Sequence, residues 1–559
     1  MYDHETILEF DFSSPRSRSK VLSGILIKFM SVVSLILLTS YNNPNLNGAN
    51  IRIKYSLYEL QENIQNTVIT LQDNISSETS QNIKNKLNEL VANFYENRNY
   101  QPVWTTDYES NSHFKTFANI LDSTKYYGFP IDYFDNLRIK ALKDEFTKTK
   151  SLASRINLEL ATTNSAFKLM LYMNRGITEK DTSVAYSEFL NSLPALLQNA
   201  LSQSNFKNEI LALQPDLVQF QKIITSLPNF IDLQLSIKFT TPKFIDDNLL
   251  AKGLYYAGVT ETAEIDSSDN NSKAIYKLQE KFNLPKDSIL NSPTHQFLVN
   301  LLQYRYYQTC LNLQRLRALQ STDEDFIFVN IPEFKLHVIE SKQEKEIFNV
   351  IVGKQETPTP IFSSNIEKVI TNPYWTVPKS IVLEMLPKIR KDSTYLERNG
   401  YCVINWREET IDMSTINWNT SDPLGVKYYL RQKNSSSNAL GLVKFLFPNE
   451  HDVYLHDTPS RGLFNVKNRT FSHGCIRLEN PDKLAQYLTN KYNTESYHNI
   501  KNLISSQKNN EITLAQKVKI HIQYITCSGN ENSDMEFYGD IYNLDKQEIT
   551  AIFPDQIEL

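Results

Sequence analysis

Cysteine is scarce in this chain: only Cys310, Cys402, Cys475 and Cys527 occur among 559 residues, and no Cys-x-x-Cys pair is present. Thiols so few and so widely spaced exclude a disulfide framework or a cysteine-rich zinc site, and no cofactor is indicated. A basic excess is missing as well, since 58 Lys and Arg stand against 63 Asp and Glu, for a net charge of −5. That balance argues against a protein that binds nucleic acid.

Apolar and aromatic side chains, by contrast, are plentiful. Hydrophobic residues make up 41% of the chain, including 30 Tyr and 29 Phe, which is far from the composition of a disordered protein. A length of 559 residues exceeds what one core organises and predicts roughly three to four domains. We therefore expect a folded multidomain protein of the α+β class.

The N-terminal region carries the pattern of a membrane segment. Basic residues at positions 16–20 precede an apolar stretch that runs to Leu38 and is interrupted by Lys28. A bilayer span takes about 20 apolar residues, so the length is marginal, and the uninterrupted part resembles the apolar part of a signal peptide. We predict a transmembrane anchor or signal segment at residues 21–40, with residues 1–20 in the cytoplasm and the remaining chain outside. A buried core helix is the alternative, but it leaves the basic flank unexplained.

Residues 41–245 have the spacing of buried helices. Between Ile83 and Phe94, apolar residues recur every three or four positions, which places them on one helix face. Another helix is predicted from Pro215 to Leu227, where proline would occupy the first helical position, which suits its fixed φ. Because no catalytic group stands out, we predict a helical scaffold domain.

Residues 246–305 predict a small three-helix domain. The block at residues 278–284 is similar to the core element of three-helix peptidoglycan-binding domains. Two departures from that pattern occur: Asn283 stands where glycine is usual, and the loop that usually has the pattern Asp-Gly-x-Ile-Gly is Asp-Ser-Ile-Leu-Asn at 287–291. The sequence leaves both glycan binding and a helical spacer that has lost this binding open.

Residues 325–559 change to the alternating pattern of β-strands, beginning with Phe326 and Phe328. An insertion at about 374–440 interrupts the strands, contains its own predicted helix at 380–391, and ends in an Asn/Ser-rich run. Long insertions near catalytic sites are often lids, and we predict a lid here.

The candidate nucleophile is Cys475, in the run Ser-His-Gly-Cys-Ile-Arg at 472–477, with His456 upstream in Tyr-Leu-His-Asp. A free thiol is mostly protonated at neutral pH, and a nearby imidazole can accept its proton. Gly474 would let backbone N–H groups approach a developing oxyanion. A buried, inert thiol is the alternative interpretation.

This pattern resembles the signature of the L,D-transpeptidases with a YkuD-type catalytic domain. Other stretches resemble the large, YcbB-like branch, and the likeness covers most of residues 325–545. They include Asn-Pro-Tyr-Trp-Thr-Val-Pro at 372–378 and Lys-Phe-Leu-Phe-Pro-Asn at 444–449. The resemblance implies a mainly β catalytic domain whose insertion caps the acyl-donor cleft.

The resemblance also implies acyl transfer on peptidoglycan stem peptides. Cys475 would attack the amide carbonyl after the third stem residue and expel the terminal D-amino acid, and a second stem's side-chain amine would capture the thioester. His456 would act as the base, oriented by a backbone carbonyl or by the Asp457 side chain. His473 and Gly474 would shape the pocket and, with the Cys475 amide, the oxyanion hole, although a purely structural His473 is equally open.

Five residues are expected to bind substrate. Arg477 would hold a carboxylate bidentately or brace its loop through carbonyls, and Ser472 begins the same motif. Tyr374, Trp375 and Asn449 are expected cleft residues, with buried packing as the alternative for the two aromatics.

Three functions are compatible with the sequence. The first is a membrane-anchored L,D-transpeptidase that forms 3→3 crosslinks. The second uses the same acyl-enzyme as an L,D-carboxypeptidase or to attach a protein to the wall. The third is a non-catalytic wall-binding scaffold, which would not require the intact Cys475 and His456 pair.

The expected location is the periplasmic face of the inner membrane, or the periplasm if the segment is cleaved. The expected partners are stem peptides, glycan and other cell-wall synthesis proteins, with no metal and no nucleic acid.

Overall fold

The computed structural model describes residues 56–73, 83–177, 183–262, 268–319, 324–492 and 499–553. The chain divides into two units, Met1–Leu60, of which only residues 56–60 are described, and Gln61–Leu559. The predicted membrane segment at 21–40 lies outside the described residues. None of the helices in the described ranges is both long and apolar enough to cross a bilayer.

The described chain up to Ala318 is almost entirely helical. Its helices are α1 (Leu57–Asp73), α2 (Ile83–Asn97), α3 (Ser112–Asp122), α4 (Asn136–Thr149), α5 (Leu152–Arg175), α6 (Val184–Ser202), α7 (Phe206–Leu211), α8 (Val218–Phe239), α9 (Asp247–Tyr256), α10 (Ser268–Lys281) and α11 (Ser292–Ala318).

Two helix predictions meet different outcomes. The periodic residues between Ile83 and Phe94 form α2 as predicted, with Leu87, Leu90 and Phe94 buried. The prediction that Pro215 begins a helix is wrong, because α8 begins at Val218 after an extended Leu217 (ψ 135°). Pro215 lies in the preceding loop.

The two departures in the α9–α11 region fall at residues with left-handed backbone conformations. Asn283 adopts φ +54° and Ser288 adopts φ +60°, the left-handed conformation that glycine provides most easily and asparagine tolerates. Gln279 is fully buried and donates to the Asp287 carboxylate at 2.6 Å, which fastens the loop. Helix α11 continues to Ala318, past the predicted end at residue 305, because its later turns are buried in a core shared with α8 and the first β-strand.

The C-terminal part of the chain is built on a nine-stranded sheet ordered β11-β3-β12-β10-β9-β4-β13-β1-β2. Because β3 pairs with β2 as well as with β12, the sheet closes on itself, and β11 is added at the end of β3. Its strands are β1 (Phe326–Asn330), β2 (Lys335–Glu340), β3 (Gln343–Gly353), β4 (Phe362–Thr371), β9 (Val443–Leu446), β10 (Leu455–His456), β11 (Thr470–Ser472), β12 (Ile476–Leu478) and β13 (Asn510–Gln523).

The apolar residues of these strands enclose one core, against which helix α14 (Pro481–Tyr492) packs. Helix α15 (Ile500–Ser505), the hairpin β14 (Cys527–Gly529) and β15 (Met535–Phe537), and helix α16 (Asp545–Ile552) complete the described chain.

The insertion is a small α/β layer with its own core. Helices α12 (Lys379–Lys391) and α13 (Tyr395–Arg398) pack on a four-stranded sheet, and the predicted helix at 380–391 is thus confirmed. The strands, in the order β5-β8-β6-β7, are β5 (Trp375–Thr376), β6 (Tyr401–Asn405), β7 (Thr410–Ile411) and β8 (Tyr428–Gln432). A separate core means that the insertion can keep its shape while contacting the sheet only locally.

A buried ionic cluster fixes the turn between β1 and β2. His337 is 5% exposed and lies between Glu333 and Glu344, at 3.0 and 2.7 Å. Burial alone would lower the pKa of His337, but hydrogen bonds to the two carboxylates raise it to about 9. The same Glu344 reaches Lys222 of helix α8 at 3.0 Å, which ties the helical half to the sheet.

Candidate active site

Cys475 lies in a tight turn between β11 and β12, after His473 and Gly474. Gly474 has φ +113°, a conformation that side-chain-bearing residues rarely adopt. A Cβ at this position would meet only the Pro358 carbonyl oxygen, at 3.7 Å. The backbone conformation, and not crowding, therefore requires glycine immediately before the half-buried Cys475.

His456 ends β10, the strand beside β12. The two strands are parallel, and their register pairs His456 with Arg477. Paired residues of neighbouring strands project from the same face, so His456 and Arg477 flank the turn that carries Cys475. His456 is 5% exposed, and its Nδ1 bonds to the Asp457 carbonyl oxygen at 2.5 Å. Of the two orienting groups left open by the sequence, the structure selects the backbone carbonyl.

The Asp457 side chain has a different task. Its Oδ2 accepts from the Leu442 N–H at 2.8 Å, its Oδ1 accepts from the Thr458 N–H at 2.7 Å, and Arg461 lies 2.6 Å from Oδ1. Gly441 approaches so closely that a Cβ there would lie 2.3 Å from this carboxyl group. Asp457 thus holds the chain that follows the insertion against β10. This contact also fixes the position of the neighbouring His456.

Tyr454 is a site residue that the sequence reasoning missed. Its backbone N–H and its phenol both act on the Cys475 sulfur, where they lower the pKa of the thiol, and the Trp375 side chain in turn lowers the pKa of the same phenol. The Tyr454 and His456 rings are 5.7 Å apart between centroids. The run Tyr-Leu-His at 454–456 could have indicated Tyr454, because side chains alternate along a strand and residues two positions apart therefore lie on the same face.

The resting state of the pair follows from its electrostatics. Burial, and then the positive charges of Arg477 and Lys444, lower the pKa of His456 to about 3. Burial raises the pKa of the Cys475 thiol above its usual value, although Tyr454, Lys444 and Arg477 act in the opposite direction. At neutral pH the site therefore holds a neutral imidazole and a protonated thiol, not a thiolate–imidazolium pair.

The structure narrows the expected oxyanion hole. The Gly474 N–H donates to Ser472 Oγ at 3.1 Å, and Thr359 Oγ1 donates to the Gly474 carbonyl at 2.8 Å. Ser472 is 2% exposed, so it shapes the turn from inside instead of facing a cleft as expected of a substrate-binding residue. In the part of the chain that is described, the His473 and Cys475 amides donate no backbone hydrogen bond, which leaves those two as donors for an oxyanion.

His473 contacts the insertion. Its Nε2 lies 3.1 Å from Glu384 Oε2 on helix α12, and both side chains are exposed to solvent. Together with the action of Trp375 on the Tyr454 phenol, this gives the insertion two interactions with the surroundings of the nucleophile.

Two cations beside Cys475 have no acidic partner among the described residues. Arg477 is half-buried, and its Nε is enclosed without a hydrogen-bond acceptor. Lys444, opposite His456 on β9, places Nζ 3.8 Å from the centroid of the Tyr454 ring. An unpaired buried cation is costly unless an anion joins it, so both charges are suited to an anionic ligand.

The other expected cleft residues differ in what they touch. Trp375 reaches Tyr454, as described, whereas Tyr374 is 46% exposed with the Arg431 guanidinium 5.7 Å from its ring centroid. The Asn449 side-chain amide forms its hydrogen bonds within its own loop. It donates to the Phe447 and Val453 carbonyls and accepts from two backbone N–H groups. Of these three, only Trp375 touches a residue that contacts the nucleophile.

Comparison with known proteins agrees with this geometry. Residues 324–505 match the YkuD family, the L,D-transpeptidase catalytic domain, and residues 89–227 match the scaffold domain family. The chain contains a YkuD-type L,D-transpeptidase catalytic domain, as the motif at 472–477 predicted. The matches do not specify a branch, and the likeness to the YcbB-like branch stays a prediction.

One curated relative, named "Putative L,D-transpeptidase", is from Haemophilus influenzae. It is 35% identical over 239 residues, which cover 42% of this chain and 48% of the relative. The chain thus spans about half the length of that relative, so its activity does not transfer directly.

Two solved structures also match. L,D-transpeptidase 1 of Mycobacterium tuberculosis is 16% identical, covering 36% of this chain and 62% of its own, with a TM-score of 0.15. An L,D-transpeptidase of Stackebrandtia nassauensis is 13% identical, covering 51% and 97%, with a TM-score of 0.17. Scores this low carry no weight for the function of the chain.

Proposed function

We propose that this protein is an L,D-transpeptidase that forms 3→3 peptidoglycan crosslinks through a thioester on Cys475. The observation that carries the proposal is the placement of Cys475 in the turn that leads into β12, with a buried His456 on the neighbouring β10 of a YkuD-type domain. A wall-binding scaffold without activity would need neither the glycine-dependent turn before Cys475 nor the fixed imidazole.

In the first half-reaction, Cys475 Sγ attacks the carbonyl after the third stem residue. The thiol proton passes to His456 as the C–S bond forms, because neither free ion is stable in the resting site. The oxyanion accepts from the His473 and Cys475 amides. The C–N bond then breaks, His456 returns the proton to the departing amine, and the terminal D-amino acid leaves.

In the second half-reaction, a side-chain amine of another stem attacks the thioester carbonyl. The amine must lose a proton to give a stable amide, and His456 accepts it. The C–S bond breaks, the new amide bond is complete, and the proton returns to Cys475 as a thiol. Water in place of the amine gives an L,D-carboxypeptidase, and an amine on a protein gives attachment to the wall.

The remaining parts are proposed to deliver this chemistry to the wall. The N-terminal segment holds the protein at the periplasmic face of the inner membrane, the α9–α11 region contacts glycan, and the insertion caps the acyl donor. The two contacts of the insertion with the site, through Glu384 and Trp375, support the last of these assignments.

The test incubates the purified protein with a disaccharide-tetrapeptide and follows the products by mass spectrometry. Crosslinked dimers that have lost one terminal D-amino acid support the proposal, whereas tripeptide monomers alone identify a carboxypeptidase. The Cys475→Ala variant is expected to give neither product. Cys402→Ala is the matched control, because Cys402 lies in the insertion, and this variant is expected to retain full activity.

A further inference from the structure

A cleft opens beside the nucleophile, between β9 and the loop that leads into β10. It has a volume of about 400 Å³, and its lining includes Lys444, Asn449, Asp452 and Tyr454. The Asp452 carbonyl oxygen lies 3.9 Å from the Cys475 sulfur, so one residue of the cleft lining borders the reacting atom. A substrate group placed here would lie next to the bond that breaks.

Lys444 is the cation of this cleft that remains available. The other lysine in the lining, Lys368, forms an ion pair with Glu511, and the acidic Glu367 pairs with Lys517 at 2.5 Å. Lys444 forms no ion pair or hydrogen bond within the described residues; its ammonium group lies over the Tyr454 ring. A half-buried ammonium held by an aromatic face keeps its N–H donors for a ligand.

The leaving group of the reaction carries an anion whose charge is opposite to that of Lys444. When the stem ends at the residue that departs, that residue carries a free carboxylate. Its carboxylate carbon is two bonds from the scissile nitrogen, or roughly 2.5 Å away. Lys444 pairs with His456 across β9 and β10 and shares the cleft with Asp452, whose carbonyl borders the sulfur, so Lys444 is near this carboxylate during attack.

We propose that Lys444 recognises the chain-end carboxylate of the departing residue and that the cleft beside it is the leaving-residue subsite. This inference rests on the proposed transpeptidase function, which already takes a tetrapeptide stem as the donor, and it assigns recognition of the chain end of that donor to one residue. A stem that continues for one more residue has a neutral amide in place of the carboxylate that would pair with Lys444. Such a stem is therefore a poor acyl donor.

The same contact couples binding to chemistry. Lys444 is one of the two positive charges that oppose protonation of His456. A carboxylate on Lys444 neutralises that charge and makes it easier for His456 to accept the thiol proton. Arg477, on the opposite side of His456 in β12, does not line this cleft and is left for another anionic group.

The test compares two acyl donors of one stem sequence, one with a free terminal carboxylate and one with a terminal carboxamide. Release of the terminal residue is measured with the intact protein and with Lys444→Met and Lys444→Arg. We expect the unmodified protein to prefer the carboxylate by about 10- to 100-fold in kcat/KM, as a charge-assisted hydrogen bond provides. Lys444→Met should abolish that preference, because the carboxylate rate falls relative to the carboxamide rate, and Lys444→Arg should retain most of it.

Other outcomes overturn the inference. An equal loss on both donors, together with slower alkylation of Cys475 by neutral iodoacetamide, would mean that Lys444 acts on the sulfur and not on the carboxylate. An unchanged preference in a folded Lys444→Met variant would mean that Lys444 has no part in recognition. If the unmodified protein cleaves neither donor, the proposed function itself fails, which is a different result from a protein that cleaves both equally.

Discussion

Removing the Tyr454 hydroxyl tests how the site stabilises its sulfur. In Tyr454→Phe the backbone N–H of residue 454 is retained, and the phenol's interactions with Cys475 and with Trp375 are lost. A hydrogen bond to a charged group contributes about 1.5 to 3 kcal/mol, which corresponds to roughly a 10- to 150-fold fall in kcat/KM. Because the phenol favours the thiolate form, its removal should also raise the pKa of Cys475 further.

Two assays measure this effect separately. Donor cleavage gives kcat and KM, and we expect the loss to fall mainly on kcat, since the contact strengthens as sulfur becomes negative. Iodoacetamide alkylation, followed by intact mass across a pH series, reports the thiol directly. Tyr276→Phe is the matched control, because Tyr276 is 39% exposed on α10 and should change neither assay.

The reasoning fails if Tyr454→Phe is folded and alkylates with the unmodified pH profile. A loss seen only in KM would also contradict it, because that would make Tyr454 a substrate contact. Because the phenol also interacts with Trp375 of the insertion, a thermal melt of the variant accompanies both assays to separate a packing change from an effect on the sulfur.

Three further predictions concern the turn, the ionic cluster and the insertion. Gly474→Ala should lower the free energy of unfolding by about 1 to 3 kcal/mol and reduce activity, because alanine is strained at φ +113°; a melt unchanged from the unmodified protein would refute this. The raised pKa of His337, about 9 against 6.5, means that its contribution is complete below pH 6.5 and is lost as pH rises through 9. In denaturant titrations the protein should therefore lose about 3 kcal/mol more than His337→Gln between pH 6 and 10, and equal losses would contradict this. Glu384→Gln removes a solvent-exposed pair with His473 and should change stability by less than about 1 kcal/mol, so a large melting shift would show a stronger contact.

The sequence predicted the parts of the site that are local. Ser-His-Gly-Cys-Ile-Arg is contiguous, and the need for glycine before the nucleophile follows from a single backbone conformation. Helix α2 could be predicted for a similar reason, because its buried apolar residues recur every three or four positions within one continuous segment. The insertion helix α12 is also formed by a single continuous segment.

Contacts that depend on strand register could not be predicted in the same way. Lys444 faces His456 only because β9 and β10 pair with that register. The hydrogen bond from the Gly474 N–H to Ser472 Oγ depends on the rotamer of the Ser472 side chain within the turn. The start of α8 was misplaced because proline suits a loop as well as a first helical position, and Leu217 is extended here.

The central claim is that Cys475 forms a thioester with the stem peptide. The most direct measurement is to quench the reaction with a tetrapeptide donor in acid, record the intact mass, and map the adduct by proteolysis. We predict an added mass equal to the donor without its terminal residue, carried on the peptide that contains Cys475 and absent from Cys475→Ala. Crosslinked product from Cys475→Ala, or an adduct on any other residue, would contradict the account.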